Sequence, residues 1–258
     1  MKETATAVIL AAGEGKRMAS DLAKVLHPLA GRPLLEYVLD ACEKAGLPRA
    51  VVVVGSRREQ VIDYLKLRNQ QTRGPMEVRW AVQAEQKGTG HALKMALPVV
   101  EEKPADELVV LCGDAPLIRA ETIRELLALQ RGQHAAVTIL TADLEDPGGY
   151  GRVIRTKHGD VERIVEHRDA TEEERRVPEI NSADYVFDRA DVTKALDLVR
   201  DDNRQGEYYL TDTIAILKSW GRKVLAHKVP DAREVLGVNT VGQLAEAEDA
   251  WNERVGGA

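Results

Sequence analysis

Apolar runs of strand length alternate with longer segments of helical period, and this alternation constrains the fold more than any other feature of the sequence. The continuous runs of Val, Ile and Leu at residues 7–10, 50–54 and 108–112 are typical of strands buried on both faces between helices. Helical segments lie between them at residues 33–45 and at about 91–99. The sequence therefore predicts an open α/β sheet, whose ligand site lies in loops at the carboxyl ends of its strands.

The pattern changes beyond about residue 143. The Pro147-Gly148-Gly149 turn precedes two short segments, 152–156 and 161–166, that predict an antiparallel pair of strands. A further strand is predicted at 179–187, and helices are predicted near 191–199 and 208–220.

These segments predict the fold class α/β, with a Rossmann-like open mixed sheet and a smaller α+β lobe. We expect one domain over residues 1–258. Its sheet part comprises about residues 1–142 together with 223–258, and its lobe comprises about residues 143–222.

The composition argues against several classes of partner and location. The formal net charge of -6 lacks the basic footprint that a nucleic-acid partner needs. Cys42 and Cys112 form no CxxC pair and no disulfide framework, which suits a reducing cytosol. The N-terminal apolar run ends at Gly13, is too short to span a membrane and precedes no cleavage site. We expect a cytoplasmic protein with neither a membrane nor a nucleic acid as partner.

A glycine-rich loop follows the first predicted strand. Gly13 and Gly15 let backbone amides approach a phosphate chain, and Arg17 and Lys24 add positive charge. A dinucleotide-binding loop needs a third glycine where Met18 stands, and no Gly-Lys-Ser/Thr of a Walker A loop occurs. Taken alone, the loop is also compatible with an ordinary βα turn carrying solvated cations.

Short motifs in a fixed order extend the pattern of the loop through nearly the whole chain. The first segments are residues 7–18, 23–26 and 29–33. Seven motifs follow, at residues 83–92, 113–117, 149–152, 164–167, 179–181, 206–212 and 237–239. In this order they resemble the sugar-1-phosphate nucleotidyltransferases, and among these the uridylyltransferase half of the bacterial bifunctional N-acetylglucosamine-1-phosphate uridylyltransferases.

The resemblance implies a nucleotidyltransferase fold and a Mg²⁺-dependent reaction. The chain is then expected to transfer a uridylyl group from UTP to N-acetylglucosamine 1-phosphate, releasing pyrophosphate and forming a precursor of the cell wall. Two alternatives stay open at this point. One is the same chemistry with another sugar 1-phosphate or with dTTP, and the other is a non-catalytic domain that senses nucleotide sugars.

The resemblance also implies which residues contact the nucleotide. Arg17 and Lys24 are expected to be the catalytic cations. The amide of Gln83 carries both an acceptor and donors, which suits the polar edge of uracil. The implied nucleotide contacts are Leu10, Ala11, Ala12, Gly13, Gly15, Gln83, Gly88 and Thr89.

Asp114 and Asn239 are the metal ligands that the resemblance implies. Asp114 follows a buried strand and Gly113, and Mg²⁺ prefers oxygen ligands alongside waters and substrate phosphates. Asn239 follows Gly237 and Val238 after what we predict to be the last strand. Its alternative role is the N-cap of a helix entered at Thr240.

A third group of residues matches the sugar contacts of the family. Carboxylates, side-chain amides and exposed backbone amides are the usual means of holding sugar hydroxyls and an acetamido group. The residues are Gly151, Glu166, Asn181, Glu207, Tyr209 and Thr211. The histidines show no metal-ligand spacing, and we interpret His91 and His167 as packing residues.

Several positions depart from the family pattern. Lys16 stands where Thr or Ser is usual, Ala23 replaces a proline before Lys24, Cys112 replaces a frequent Tyr, and Ala183 replaces a frequent Gly. These departures concern the choice of sugar rather than the reaction class. No hexapeptide repeats of a left-handed β-helix occur in the 258 residues, and we expect no acetyltransferase domain in this chain.

Overall fold

A mixed β-sheet runs through the centre of the computed structural model, which describes residues 4–18, 20–71 and 74–256. Residues 1–3 and 257–258, the two ends of the predicted domain, lie outside the described residues. The strands within the described part are β1 (Ala5–Ala11), β2 (Pro28–Leu29), β3 (Arg32–Pro33), β4 (Arg49–Val54), β5 (Glu77–Val82), β6 (Glu107–Cys112), β7 (Val137–Asp143), β8 (Gly151–Arg155), β9 (Val161–Val165), β10 (Glu179–Asp188) and β11 (Val224–Lys228).

Helices connect most of these strands. They are α1 (Leu34–Lys44), α2 (Arg58–Gln71), α3 (Thr89–Glu101), α4 (Ala120–Gln133), α5 (Glu172–Arg175), α6 (Arg189–Leu196), α7 (Asp212–Ser219) and α8 (Val241–Gly256). Within the described ranges, no helix combines the length and the apolar character that a membrane crossing requires.

The order of the strands creates a crevice at the centre of the sheet. Seven strands lie in the order β11-β7-β10-β6-β1-β4-β5, and β8 and β9 extend from β10. β6, β1, β4 and β5 run parallel, whereas β10 is antiparallel to both of its neighbours. The chain moves from β1 outward through β4 and β5 and then returns to the other side of β1 at β6. Open α/β sheets bind ligands at the carboxyl ends of the strands where the order switches in this way.

Both faces of the sheet are covered by helices. Successive residues of a strand point to opposite faces, so Ile9 and Val52 pack in one apolar cluster and Val8 and Val53 in another. Residues of α1, α2 and α4 complete the first cluster, and residues of α3, α6 and α7 complete the second. Each fully buried Val, Ile or Leu stabilises the fold by about 1.5–3 kcal/mol. The continuous apolar strands are therefore explained by burial on both faces.

The predicted fold class is confirmed, and most predicted elements are present. The strands predicted at residues 7–10, 50–54 and 108–112 correspond to β1, β4 and β6, and the predicted antiparallel pair is β8 with β9. The division into a sheet part and a lobe stays a prediction. β10 lies inside the main sheet, between β6 and β7, although the predicted lobe boundaries include it.

Two predicted boundaries differ from the structure. The helix expected from residue 208 begins at Asp212, because the backbone of Tyr208 instead donates to Lys87 and accepts from Gly90. The segment before Gly237 is a 3₁₀ turn at Ala232–Val235 rather than the last strand, which is β11.

A bulge interrupts β10 between Asn181 and Tyr185. Ala183 lies in this bulge with φ of +66°, a left-handed conformation that Gly adopts more readily than any residue with a Cβ. The family pattern that places Gly here therefore has a backbone reason, and Ala183 carries local strain.

We predict that Ala183→Gly stabilises the protein by about 1 kcal/mol. Glycine has no Cβ and therefore avoids the steric free-energy cost of the left-handed conformation. Urea unfolding followed by circular dichroism measures the change. Ala45→Gly is the matched control, since Ala45 has an ordinary helical φ of -71° and its replacement should destabilise the fold. A loss of stability at position 183 similar to that at position 45 would contradict the predicted strain.

Candidate active site

A cavity of about 400 Å³ opens at the carboxyl ends of β1 and β6. We call it the loop cavity, because the glycine-rich loop forms one wall. The predicted site residues that line it are Leu10, Ala11, Ala12, Gly13, Lys24, Gln83, Gly88, Thr89, Asp114 and Glu207. Most of the predicted nucleotide contacts are thus brought together in one place.

A second cavity, of about 200 Å³, lies beside the β10 bulge and is called the bulge cavity. The predicted site residues along it include Gly151, Glu166, Asn181, Thr211 and Asn239. The two cavities meet, since both are lined by Leu10, Thr89, Cys112 and Asp114. A ligand could therefore extend from one cavity into the other past Asp114.

The glycine-rich loop and Ala23 hold Lys24 at this junction. Gly15 has φ of +63°, and a Cβ there would lie 2.9 Å from the Cβ of Lys24. Ala23 has φ of -57°, as a proline would, but its N–H donates to Gln60 Oε1 at 2.7 Å. The loop before Lys24 is thus held by a hydrogen bond where the family pattern has a rigid ring.

The ammonium group of Lys24 lies between the two predicted metal ligands. Its Nζ forms an ion pair with Asp114 and donates to Asn239 Oδ1 at 2.7 Å. The backbone N–H of Val238 donates to the carbonyl of Asp114 at 2.9 Å, which holds the two segments together. A carboxylate and an amide oxygen therefore converge on one cation.

The side chain of Asn239 does not cap the following helix. α8 begins at Val241, and Thr240 Oγ1 accepts the backbone N–H of Gln243 at 3.2 Å. Asn239 contributes only its backbone N–H, which donates to Gln243 Oε1 at 2.8 Å. The alternative N-cap role is therefore wrong for the Asn239 side chain, whose Oδ1 instead accepts from Lys24 and whose Nδ2 donates to the carbonyl of Gly237 at 3.2 Å.

Gln83 is the most buried polar residue of the loop cavity. The residue is 3% exposed, and its amide Nε2 donates to the carbonyl of Gly88 at 3.0 Å. Gly88 has φ of +98°, and a Cβ there would come 2.7 Å from the carbonyl oxygen of Tyr208. A glycine at this position lets the loop after β5 lie against residues 207–208.

Polar side chains of the bulge cavity are held in place by their neighbours. Asn181 Nδ2 donates to the hydroxyl of Tyr185 at 2.7 Å, and Thr211 Oγ1 donates to Glu166 Oε1 at 3.0 Å. Burial raises the pKa of Glu166, and the nearby carboxylate of Asp212 raises it further. This wall of the cavity is thus acidic and partly desolvated.

Three predicted site residues line neither cavity. Arg17 is exposed on the 3₁₀ turn Lys16–Met18, and Gly15 lines a separate depression beside Arg57. Tyr209 turns away, with its hydroxyl donating to Asp169 Oδ2 at 3.0 Å. Glu207, predicted to contact the sugar, lines the loop cavity. The roles of these four residues, like those of the other predicted site residues, stay predictions.

The structure adds residues for which the sequence predicts no role in the site. Tyr150 lines the bulge cavity, and its hydroxyl accepts the N–H of Gly237 at 3.3 Å. Tyr185 supports Asn181, and the ring of His91 contacts Gln83. The packing role predicted for His91 omits its contact with Gln83, because sequence spacing does not show that one turn of α3 faces the end of β5.

Asp184 lies behind the bulge cavity with almost no solvent contact. The residue is 1% exposed, and Oδ1 accepts the backbone N–H of Cys112 at 2.8 Å. Oδ2 is buried without a hydrogen-bond partner among the described residues. Burial raises the pKa of Asp184 to about 7, and the charge of Asp114 adds to the shift.

Comparison with known proteins identifies a family for most of the chain. The model of the MobA-like NTP transferase domain matches residues 7–184. The bifunctional protein GlmU of Geobacillus sp. (strain WCH70) is 47% identical over 249 residues, and that of Acetivibrio thermocellus is 48% identical over 253 residues. These matches cover 96% and 98% of this chain but 52% and 53% of the relatives.

The chain thus spans about half the length of the curated relatives it matches. They bear out the resemblance on which the motif assignments were based. Among solved structures, a UDP-glucose pyrophosphorylase complexed with UDP-glucose superposes with a TM-score of 0.77 at 16% identity. That match covers 97% of this chain and 99% of the other, and it confirms the nucleotidyltransferase fold.

The pKa of Asp184 leads to a prediction about pH and stability. Because the folded-state pKa is raised above the ordinary value of 3.8, the contribution of Asp184 to stability should fall as pH rises from about 4 to about 7. Asp184→Asn removes this loss while keeping an oxygen for the Cys112 N–H. Relative to wild type, the variant should therefore gain about 2 kcal/mol between pH 5 and pH 8.

Urea unfolding of both proteins at the two pH values measures this gain. Asp188→Asn, at the end of the same strand, controls for the change of charge, because Asn also caps helices. An identical stability difference between Asp184→Asn and wild type at pH 5 and pH 8 would show that Asp184 is not the titrating group.

Proposed function

This chain belongs to the family of MobA-like NTP transferase domains, and on that premise we propose that it transfers a uridylyl group from UTP to N-acetylglucosamine 1-phosphate. The products are UDP-N-acetylglucosamine, a precursor for cell-wall synthesis, and pyrophosphate. We place the reaction in the cytoplasm, whose reducing conditions suit the free thiols of Cys42 and Cys112.

One observation carries the proposal: two cavities meet at a cation held by a carboxylate and an amide. The loop cavity offers a glycine-rich loop and a buried amide, as a nucleoside triphosphate requires, and the bulge cavity offers Glu166 and Asn181 for sugar groups. Lys24, Asp114 and Asn239 lie close together at the junction, where the reacting phosphates would meet.

The relatives point to the same chemistry. The solved structure with the same fold is complexed with UDP-glucose, which joins a uridylyl group to a sugar phosphate. The curated relatives are bifunctional GlmU proteins, which match the chain along 96–98% of its length. The agreement between seven sequence motifs and these matches supports a UDP-sugar product rather than another nucleotidyl acceptor.

The junction also fits Mg²⁺. The Lys24 ammonium occupies a position toward which Asp114 and Asn239 Oδ1 converge, so the pair already accommodates a cation. A Cβ at Gly237 would lie 3.3 Å from Asp114 Oδ2, so a side chain there would press on the Asp114 carboxylate. The described residues contain no cluster of three or more His, Cys, Asp or Glu side chains suited to a metal. Two protein ligands with waters and substrate phosphates are typical for Mg²⁺.

The chain's own residues then have mainly positioning and electrostatic roles. A sugar 1-phosphate has a second pKa of about 6, so the acceptor is largely ionised and requires no general base. The amides of the glycine-rich loop bind the triphosphate, and Lys24 bridges it to the acceptor phosphate. Mg²⁺, held by Asp114 and Asn239, would supply neutralisation of the charge that develops on the pyrophosphate.

Only the motif assigns Arg17 to the triphosphate, because its side chain is exposed and lines neither cavity. The sugar contacts are assigned to Gly151, Glu166, Asn181 and Thr211, with Tyr209 as an outer support. A Cβ at Gly151 would lie 3.2 Å from Ile164 Cγ2 and 3.5 Å from Glu166 Oε2, so a side chain there would contact this wall of the cavity.

A domain that senses nucleotide sugars without turnover is a second candidate. It would need the two cavities but not a cation placed between a carboxylate and an amide at their junction. The contacts of Lys24 with Asp114 and Asn239 favour a transferase. Release of pyrophosphate from UTP in the presence of a sugar 1-phosphate distinguishes the two.

We predict that Asp114→Ala lowers turnover by roughly 10²-fold or more, because one stabiliser of the developing charge is lost. A coupled assay of pyrophosphate release with UTP, N-acetylglucosamine 1-phosphate and Mg²⁺ measures the effect. Asp197→Ala, at an exposed carboxylate paired with Lys94, is the control and should retain wild-type turnover. Full wild-type turnover in EDTA would rule out the metal requirement.

We also predict a preference for N-acetylglucosamine 1-phosphate over glucose 1-phosphate of about tenfold or more in kcat/KM, or about 1.4 kcal/mol. A polar site built for an acetamido group is left unpaired by an analogue without it. Cys112 and Ala183 both line the bulge cavity and depart from the family pattern, so we expect preference rather than exclusion.

Competition between the two sugar phosphates at equal concentration, with UTP and Mg²⁺ and with products identified by mass, measures the ratio. Equal use of both, or preference for glucose 1-phosphate, would favour another sugar as the natural acceptor.

A further inference from the structure

The amide of Gln83 is oriented by two contacts with the protein. Its Nε2 lies 3.0 Å from the carbonyl oxygen of Gly88 and 3.0 Å from Nδ1 of His91. A carbonyl only accepts hydrogen bonds, so the amide nitrogen must face Gly88. The second N–H of the amide then meets His91, which accepts it when Nδ1 carries no proton.

His91 is suited to remain an acceptor at Nδ1. Burial and the nearby ammonium of Lys87 lower the pKa of His91, which favours the neutral ring, while a hydrogen bond to the backbone of Glu85 and the Glu85 carboxylate oppose the shift. Because Nδ1 faces Gln83, a neutral ring that accepts the amide N–H there carries its proton on Nε2. The hydrogen bonds of a histidine ring are linked to its tautomer in this way.

Both donors of the Gln83 amide are therefore used inside the protein, and Oε1 remains. No donor to this oxygen is found among the described residues. Their buried polar side-chain atoms without a partner belong to five other residues, so Oε1 of Gln83 reaches accessible space. Since Gln83 lines the loop cavity, the atom presented to a ligand there is an acceptor.

We propose that His91 is a positioning residue that fixes the Gln83 oxygen toward the loop cavity, so that the cavity selects a base presenting an N–H donor at that edge. This inference rests on the proposed function, because it assigns the loop cavity to the base of the nucleotide. Uracil and thymine both carry an imide N–H and are treated alike. Cytosine presents a ring acceptor at the same position and is disfavoured.

Rotating the Gln83 amide by about 180° would present an N–H donor to cytosine, but the rotation would cost free energy. The amide oxygen would then face the carbonyl of Gly88 and Nδ1 of His91, both of which are acceptors. Gly88 and His91 thus each oppose the rotation, because a buried polar group that loses its hydrogen bond destabilises the protein. Removing the acceptor on His91 leaves only the backbone contact to hold the amide.

Two substitutions separate the acceptor from the bulk of the side chain. In His91→Asn, Oδ1 lies the same number of bonds from Cα as Nδ1 of histidine, so an acceptor is kept. In His91→Leu, a methyl group of nearly the same shape takes that place. Isothermal titration with UTP and with CTP, with Mg²⁺ and no sugar phosphate, measures base selection apart from catalysis.

We expect wild type to bind UTP more tightly than CTP, and His91→Leu to reduce this ratio about tenfold while UTP affinity changes by less than the ratio does. The ratio for His91→Asn should lie between wild type and His91→Leu. Thermal unfolding verifies that both variants fold. Gln83→Met, which has no amide, should bring the ratio of UTP to CTP affinity close to one.

A ratio in folded His91→Leu equal to that of wild type would overturn the inference, as would equal losses in the Asn and Leu variants. These outcomes leave the proposed function intact if pyrophosphate release from UTP is observed. Conversely, selective UTP binding that depends on His91, without turnover by the wild-type chain, would contradict the proposed transferase and support the role of His91.

Discussion

The parallel pairing of β1 with β6 is the contact on which the rest of the site depends. Leu10 lies opposite Cys112 in this register, so the loops that leave the two strands begin side by side. The N–H of Gly113 donates to the carbonyl of Leu10 at 2.9 Å, which extends the pairing to the residue before Asp114. The Val238 N–H then binds the Asp114 carbonyl, so the last segment of the chain is attached to the same point.

Charge is distributed unevenly around the junction of the two cavities. The distribution suits a ligand whose phosphates lie at the junction and whose sugar lies in the bulge cavity. Lys24 supplies positive charge at the junction. Glu166 lines the bulge cavity, and burial and neighbouring carboxylates, including Asp212, raise its pKa. Such a wall would repel a phosphate but can accept hydrogen bonds from the hydroxyls of a neutral sugar. A ligand with its phosphates at the junction and its sugar beside the carboxylates therefore has a lower electrostatic free energy than the same ligand in the reverse orientation.

Much of this fold was predictable, because strands buried on both faces leave continuous apolar runs. The sequence patterns did not show that β10 enters the sheet between β6 and β7, since strand order depends on long-range pairing rather than on local period. At the site, the motifs assigned roles to Asp114 and Gln83. His91 and Tyr150 also lie within motifs but received no role in the site, because their roles arise from contacts between separate elements. The 3₁₀ turn that bears Arg17 illustrates the reverse: the motif assigns a role, while the side chain lies outside both cavities.

The position of β10 also has a consequence for how the chain is made. Until Glu179–Asp188 has left the ribosome, β6 has no partner on one side, and its edge of unpaired backbone groups is exposed. A helix-covered half-sheet of β1, β4, β5 and β6 can form earlier from neighbouring segments, but the wall that carries Asn181 cannot. Nascent chains therefore pass through a stage with an open, apolar sheet edge, where binding by a chaperone or pairing with another nascent chain competes with native folding.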